Sequence, residues 1–198
     1  MNTEFFNTIP KIKLKDELSL FLGSIQDGIV EFSYLDIVKS AGHSCPTVAG
    51  AYLCTIYALN HLYDNNELAK RGEIMVSFKD DLNHGATGVI SNVISQITGA
   101  TEHTGFKGLN GNYVRHSLIN YNANIQCQIR FTRIDTAEQV CINYNPSSIL
   151  ADPKMQNLME KNIQNTASND EKELFAQLWQ ERVKNIFKNS SDVIEIKG

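Results

Sequence analysis

Apolar residues recur at helical spacing along much of the chain. Leu18, Phe21, Leu22 and Ile25 form one stripe and predict a helix over residues 17–26. A short helix is expected after Ser33, ending before Gly42, which suits a left-handed C-terminal residue. A central helix opens at Pro46 and reaches Tyr63, with Val48, Tyr52, Ile56, Leu59 and Leu62 on one face. Its opposite face is small, with Gly50, Cys54 and Ala58, so burial on two sides is expected. Ala86, Val89, Ile90, Val93, Ile94 and Ile97 predict another amphipathic helix, closed by Gly99 and capped by Asn83. Alternation predicts strands over 73–78, 113–121, 125–133 and 139–144, the last three as an antiparallel meander. Asp152-Pro153 opens a helix to about Gln164. Ser168 with Glu171 is a capping-box pair opening a longer one to about Lys188. Residues 1–15 read as an arm.

These elements imply an α+β fold. An antiparallel sheet of about four to five strands packs with helices over residues 1–150, and a C-terminal helical hairpin follows over 151–198. Among its 198 residues 42% are apolar and 20% charged, enough for a core and too little charge for a disordered chain. The net charge of −4 argues against a nucleic-acid partner. No apolar run approaches the roughly 20 residues of a membrane span, and the N-terminus lacks the pattern of a signal peptide. A cytoplasmic protein with no membrane partner is expected. Cys45, Cys54, Cys127 and Cys141 form no CxxC pair, so they read as reduced thiols, with Cys127 and Cys141 on opposite strand faces.

The chemistry concentrates in Gly42-His43-Ser44-Cys45-Pro46. It sets a thiol at a helix N-terminus, where unpaired N–H groups and the helix dipole favour an anion. The thiolate is the form that attacks electrophiles and binds metals. Cys45 is therefore the candidate catalytic group, and His43 a candidate second ligand or base. His84 also precedes a helix. Were the two helix starts to converge, His43, Cys45 and His84 would make a three-ligand zinc site with one open position. Asp80 and Asp81 could orient a histidine. The loop over 100–112 is long and rich in Gly, Thr and Asn, and it carries His103 and Lys107 as candidate binding residues. Against these stand simpler roles: Cys45 as a helix cap, His43 bonded locally, His84 in a solvated turn and His103 at the surface. His116 reads as a packed core histidine, and His61 as an exposed one.

The Gly42–Pro46 string, followed by a helix rich in small residues, resembles the formylmethanofuran dehydrogenase E-subunit family. Thr98-Gly99-Ala100-Thr101 resembles that family's second landmark, of Thr-Gly-Cys-Thr type. The resemblance runs from about Ser33 to Tyr144. It implies an α+β core, usually a homodimer, with a site at the His-x-Cys motif that can hold zinc. The chain departs from the family pattern at Ala41, Thr47 and Ala100, and no cysteine follows Cys141, so its tail is not the zinc finger of some members.

Three functions follow as expectations. The first is a zinc-type protein acting on a small-molecule ligand or substrate at His43 and Cys45, completed by His84 or His103. The second is a metal-free module for a small anionic ligand at the two helix starts, assisted by Lys79, Lys107 or Arg115. The third is an accessory protein that acts through a removable C-terminal helix pair.

Overall fold

The computed structural model describes residues 3–64 and 67–197. Residues 1–2 of the expected arm lie outside the described part. The rest of it is ordered structure. A 3-10 turn over Glu4–Thr8 buries Phe5 and Phe6, and strand β1 (Ile12–Lys15) buries Ile12 and Leu14. Helix α1 (Glu17–Phe21) is shorter than expected. Gly23 takes φ +70°, and the Ser24 and Ile25 N–H groups fold back onto the Ser19 carbonyl, which ends the helix. Its stripe buries nothing: Phe21 and Leu22 are each 61% exposed.

Strand β2 (Ile29–Phe32) pairs antiparallel with β1, and β3 (Ala69–Lys70) pairs with it in parallel, giving a small three-stranded sheet. Helix α2 (Tyr34–Ala41) lies where its signals put it. Ser33 and Asp36 form a capping box, and Gly42 ends the helix at φ +76°. Helix α3 (Pro46–Leu62) is central, with Val48, Ala49, Tyr52, Cys54 and Ala58 all buried. A Cβ on its Gly50 would lie 2.2 Å from the Tyr144 ring, so only glycine allows that aromatic to lie flat on the helix.

The larger sheet has the order β5-β4-β6-β7-β8, with β4 at Ile74–Phe78, β5 at Ile119–Asn120, β6 at Ile129–Arg133, β7 at Gln139–Tyr144 and β8 at Ile194–Lys197. It is a mixed sheet: β4 runs parallel to β5, while the β4–β6, β6–β7 and β7–β8 pairs are antiparallel. The expected strand over 113–121 shrinks to two residues. Tyr113 and Ser117 take positive φ, and Arg115, not His116, turns into the interior. Helix α4 (Thr87–Thr98) packs beside α3 and ends at Gly99 with φ +74°. Asn83 does not cap it; Ala86 precedes its first turn.

The C-terminal segment forms α5 (Met155–Ile163), α6 (Asn169–Lys188) behind its Ser168–Glu171 capping box, α7 (Ser190–Val193) and then β8. Val183, Ile186, Val193 and Ile194 join the same core as α3 and the large sheet. The hairpin is thus built into the core, and its end supplies an edge strand. The alternation that marks β8 spans only four residues at the chain end, too few to stand out in the sequence.

Two buried ionic clasps hold the layers. Asp16 caps α1 through the Ser19 N–H and accepts from Arg71 at 2.9 Å and Arg115 at 2.7 Å. Arg71 also donates to the Gln96 and Ile97 carbonyls, closing the C-terminal end of α4. Arg133, 7% exposed, is held by Glu67, Asp135 and the Leu62 carbonyl and lies 4.0 Å above the Tyr63 ring.

Cys127 and Cys141 are joined in a disulfide, a correction to the expected reduced pair on opposite faces. Cys127 lies outside β6, so strict alternation does not govern where it points. Cys45 and Cys54 are free. Alkylation of the native protein is expected to label Cys45 alone, because burial hides Cys54 and pushes its thiol up to about 12. Denaturation without reductant raises the count to two thiols, and reduction raises it to four. Four labelled thiols without reductant would contradict the cross-link. Closing a loop of 14 residues, the bond is expected to stabilise by about 3 kcal/mol, read as a lower melting temperature after reduction.

Candidate functional site

The N-terminal end of α3 is built by local chemistry. Gly42 turns the chain out of α2, Ser44 is buried, and Pro46 occupies the first helical turn, where its missing N–H costs nothing. Cys45 is the N-cap, and its Sγ accepts from the Val48 N–H at 3.4 Å. His43 is exposed, with Nδ1 held 2.9 Å from the Ala41 carbonyl, which leaves Nε2 pointing away from that contact. The simpler roles of these two residues, helix cap and local bond, are therefore both formed.

More distant elements support this helix start. The Ser44 carbonyl accepts from Trp179 Nε1 at 2.9 Å and from Gln180 Nε2 at 3.3 Å, both on α6. The Ser44 hydroxyl meets the Tyr34 phenol at 3.0 Å. Tyr144 of β7 donates to the Pro46 carbonyl at 2.7 Å while its ring covers Gly50. Burial pushes the Tyr144 phenol well above its usual range, so it stays a neutral donor.

Tyr144 also faces the start of α4. A cavity of about 210 Å³ there is lined by Asp80, His84, Thr87, Gln128 and Tyr144, among others. No side chain caps α4. Among the described residues its Gly88 and Val89 N–H groups have no hydrogen-bond partner. His84 is 72% exposed, and its Nδ1 lies 3.4 Å from Asp80 Oδ2. Asp81 accepts from the Asn83 N–H and from Asn122, which hold its carboxyl below the usual carboxylate range. His43 lines a different cavity, of about 300 Å³, with Ser40, Val89, Asn92 and Gln96.

The two helix starts therefore meet through Tyr144, but His43 and His84 open onto separate hollows beside α4. The donor chemistry of His43 suits zinc, since its Nδ1 is fixed by the Ala41 carbonyl and its Nε2 is free. The placement does not fit it: among the described residues no three His, Cys, Asp or Glu side chains are grouped so as to hold a metal ion. His103, 86% exposed, faces its neighbour Glu102, and Lys107 is exposed. Of the assisting cations, Arg115 is committed to Asp16. Tyr144, Trp179, Gln180 and Gln128 had no local sequence signal. They reach the site from β7, α6 and the β6 approach, and no spacing rule links them to residue 45.

A scan against protein-family models and a search of curated proteins return no match. The resemblance to the formylmethanofuran dehydrogenase family rests on the two strings alone. No helix among the described residues is long and apolar enough to cross a membrane.

Proposed function

We propose that the chain binds a small anionic molecule, carrying a carboxylate or phosphate group, in the cleft between the N-terminal ends of α3 and α4. The observation that carries this reading is the uncapped start of α4, whose Ala86 and Thr87 line a cavity together with Tyr144, which is itself bonded to the first turn of α3. Free N–H groups at a helix start bind anions without a metal. Cys45 would contact the ligand as a weak donor or as a nucleophile.

Zinc at His43 and Cys45 is the second reading, in a homodimeric, cytoplasmic protein of the formylmethanofuran dehydrogenase type. The orientation of His43 by the Ala41 carbonyl favours it. It requires the 80–85 turn to carry His84 toward Cys45, or a third donor from outside the chain.

Elemental analysis and calorimetry separate the two. Chelator-treated protein is expected to bind inorganic phosphate or pyrophosphate as well as untreated protein does, and Cys45→Ser is expected to leave the metal content unchanged. About one zinc per chain, lost in Cys45→Ser together with anion binding, would replace the first reading with the second.

A further inference from the structure

A larger cavity lies elsewhere, on the outer side of α3. It measures about 420 Å³, within the range of small-molecule sites, and lies between the N-terminal 3-10 turn, the middle of α3 and the end of α6. Phe5, Ile9, Leu53, Ile56 and Phe187 give it an apolar body. Lys184 and Lys188, one turn apart on α6, stand in the same wall, and among the described residues no carboxylate lines the cavity. The Lys184 ammonium has a single acidic neighbour, Glu181 at 3.7 Å, outside the cavity lining. Lys188 has no ion-pair partner among the described residues.

Such a chamber sorts ligands by two properties at once. The apolar lining rewards a hydrocarbon or aromatic body. Two lysines on one wall, with no residue of opposite charge among the described lining residues, reward a single anionic head. The polar hydroxyls nearby are already spent: Tyr57 bonds Ser190 at 2.9 Å, and Thr8 bonds the Phe5 carbonyl at 2.8 Å. They add little demand for a polar body. We propose that this cavity binds an amphiphilic monocarboxylate, an apolar chain or ring bearing one terminal carboxylate, with its head at Lys184 and Lys188. Leu53 lies eight residues beyond Cys45, about 12 Å along α3, so the site is separate from the cleft at the helix start.

The test uses the full chain and calorimetry with decanoate and with decanol, which has the same body and no charge. Decanoate is expected to saturate at one equivalent and to bind about tenfold tighter than decanol. Lys184→Gln with Lys188→Gln is expected to remove that difference while leaving decanol binding unchanged. Ile56→Trp, at a half-buried lining position, is expected to block both ligands, with circular dichroism confirming the fold. Cys45→Ser is expected to change nothing, which separates this site from the proposed cleft. Equal affinity for the two ligands, uptake without saturation, or decanoate binding unchanged in the double lysine variant would each overturn the proposal.

Discussion

Ending the chain at residue 150 is expected to abolish cooperative folding. The lost segment contributes Val183, Ile186, Val193 and Ile194 to the core, all nearly or fully buried. At about 1.5–3 kcal/mol for each buried side chain, these four supply about 6–12 kcal/mol, an upper estimate. Whole domains are stable by only about 5–15 kcal/mol. The truncation also removes β8 from β7, breaking the pairing of Tyr144 with Ile194 and of Cys141 with Lys197. It uncovers Tyr34 and Tyr52, which pack edge-on to Phe187, and deprives the Ser44 carbonyl of Trp179 and Gln180. Thermal melting followed by near-ultraviolet circular dichroism checks this. A sigmoidal melt of residues 1–150 with native-like aromatic signals would show the hairpin to be the removable appendage that the sequence suggested.

Asp16→Ala is expected to cost about 3–5 kcal/mol, because it leaves two guanidinium groups facing each other with no carboxylate between them. Arg115 is the sharper case. Its side chain is 8% exposed, and burial presses its pKa down, with Asp16 offsetting this; it remains charged at any pH where the protein folds. The loss is read as a fall in the midpoint of urea unfolding. Asp16→Asn keeps the shape and some hydrogen bonds, so it is expected to lose less. A variant as stable as the parent would show that the clasp is incidental. Burial raises the Asp16 carboxyl, but the Arg71 hydrogen bond, the Ser19 N–H and the two positive charges outweigh it, so its pKa lies below the usual value. Arg133 likewise lowers Asp135 to about 2. A carboxyl with a depressed folded pKa gives its full stabilisation above the unfolded value of about 4 and loses it as pH falls through the folded one. Stability is therefore expected to drop between about pH 4 and 2, and Asp16→Ala is expected to show a shallower drop over that range.

Much of the helical framework could be read from residues close in sequence. The helix start after Ser33, the capping box at Ser168, the proline at the start of α3 and the glycines after α2 and α4 all act within one turn, and each falls where its pattern placed it. Failures came where a distant partner decides. Arg115 breaks the alternation of its segment because Asp16, 99 residues away, draws it inward. Strand β5 pairs in parallel with β4, a choice that a meander pattern cannot express. The site shows the same division. The Gly42–Pro46 string marked one helix start and the position of Cys45 as its cap. Its link to α4 depends on Tyr144, and its outer support on Trp179 of α6, 135 residues from Ser44. Nothing near residue 45 announces either.

The proposed anion cleft needs both helix starts to respond to one ligand, and backbone amide shifts report each of them separately. ¹⁵N-labelled, chelator-treated protein titrated with inorganic phosphate is expected to show saturable shifts at Thr47, Val48, Gly88 and Val89, reduced in parallel by Tyr144→Phe. Shifts confined to surface lysines such as Lys79 and Lys107, or none at either helix start, would contradict the cleft.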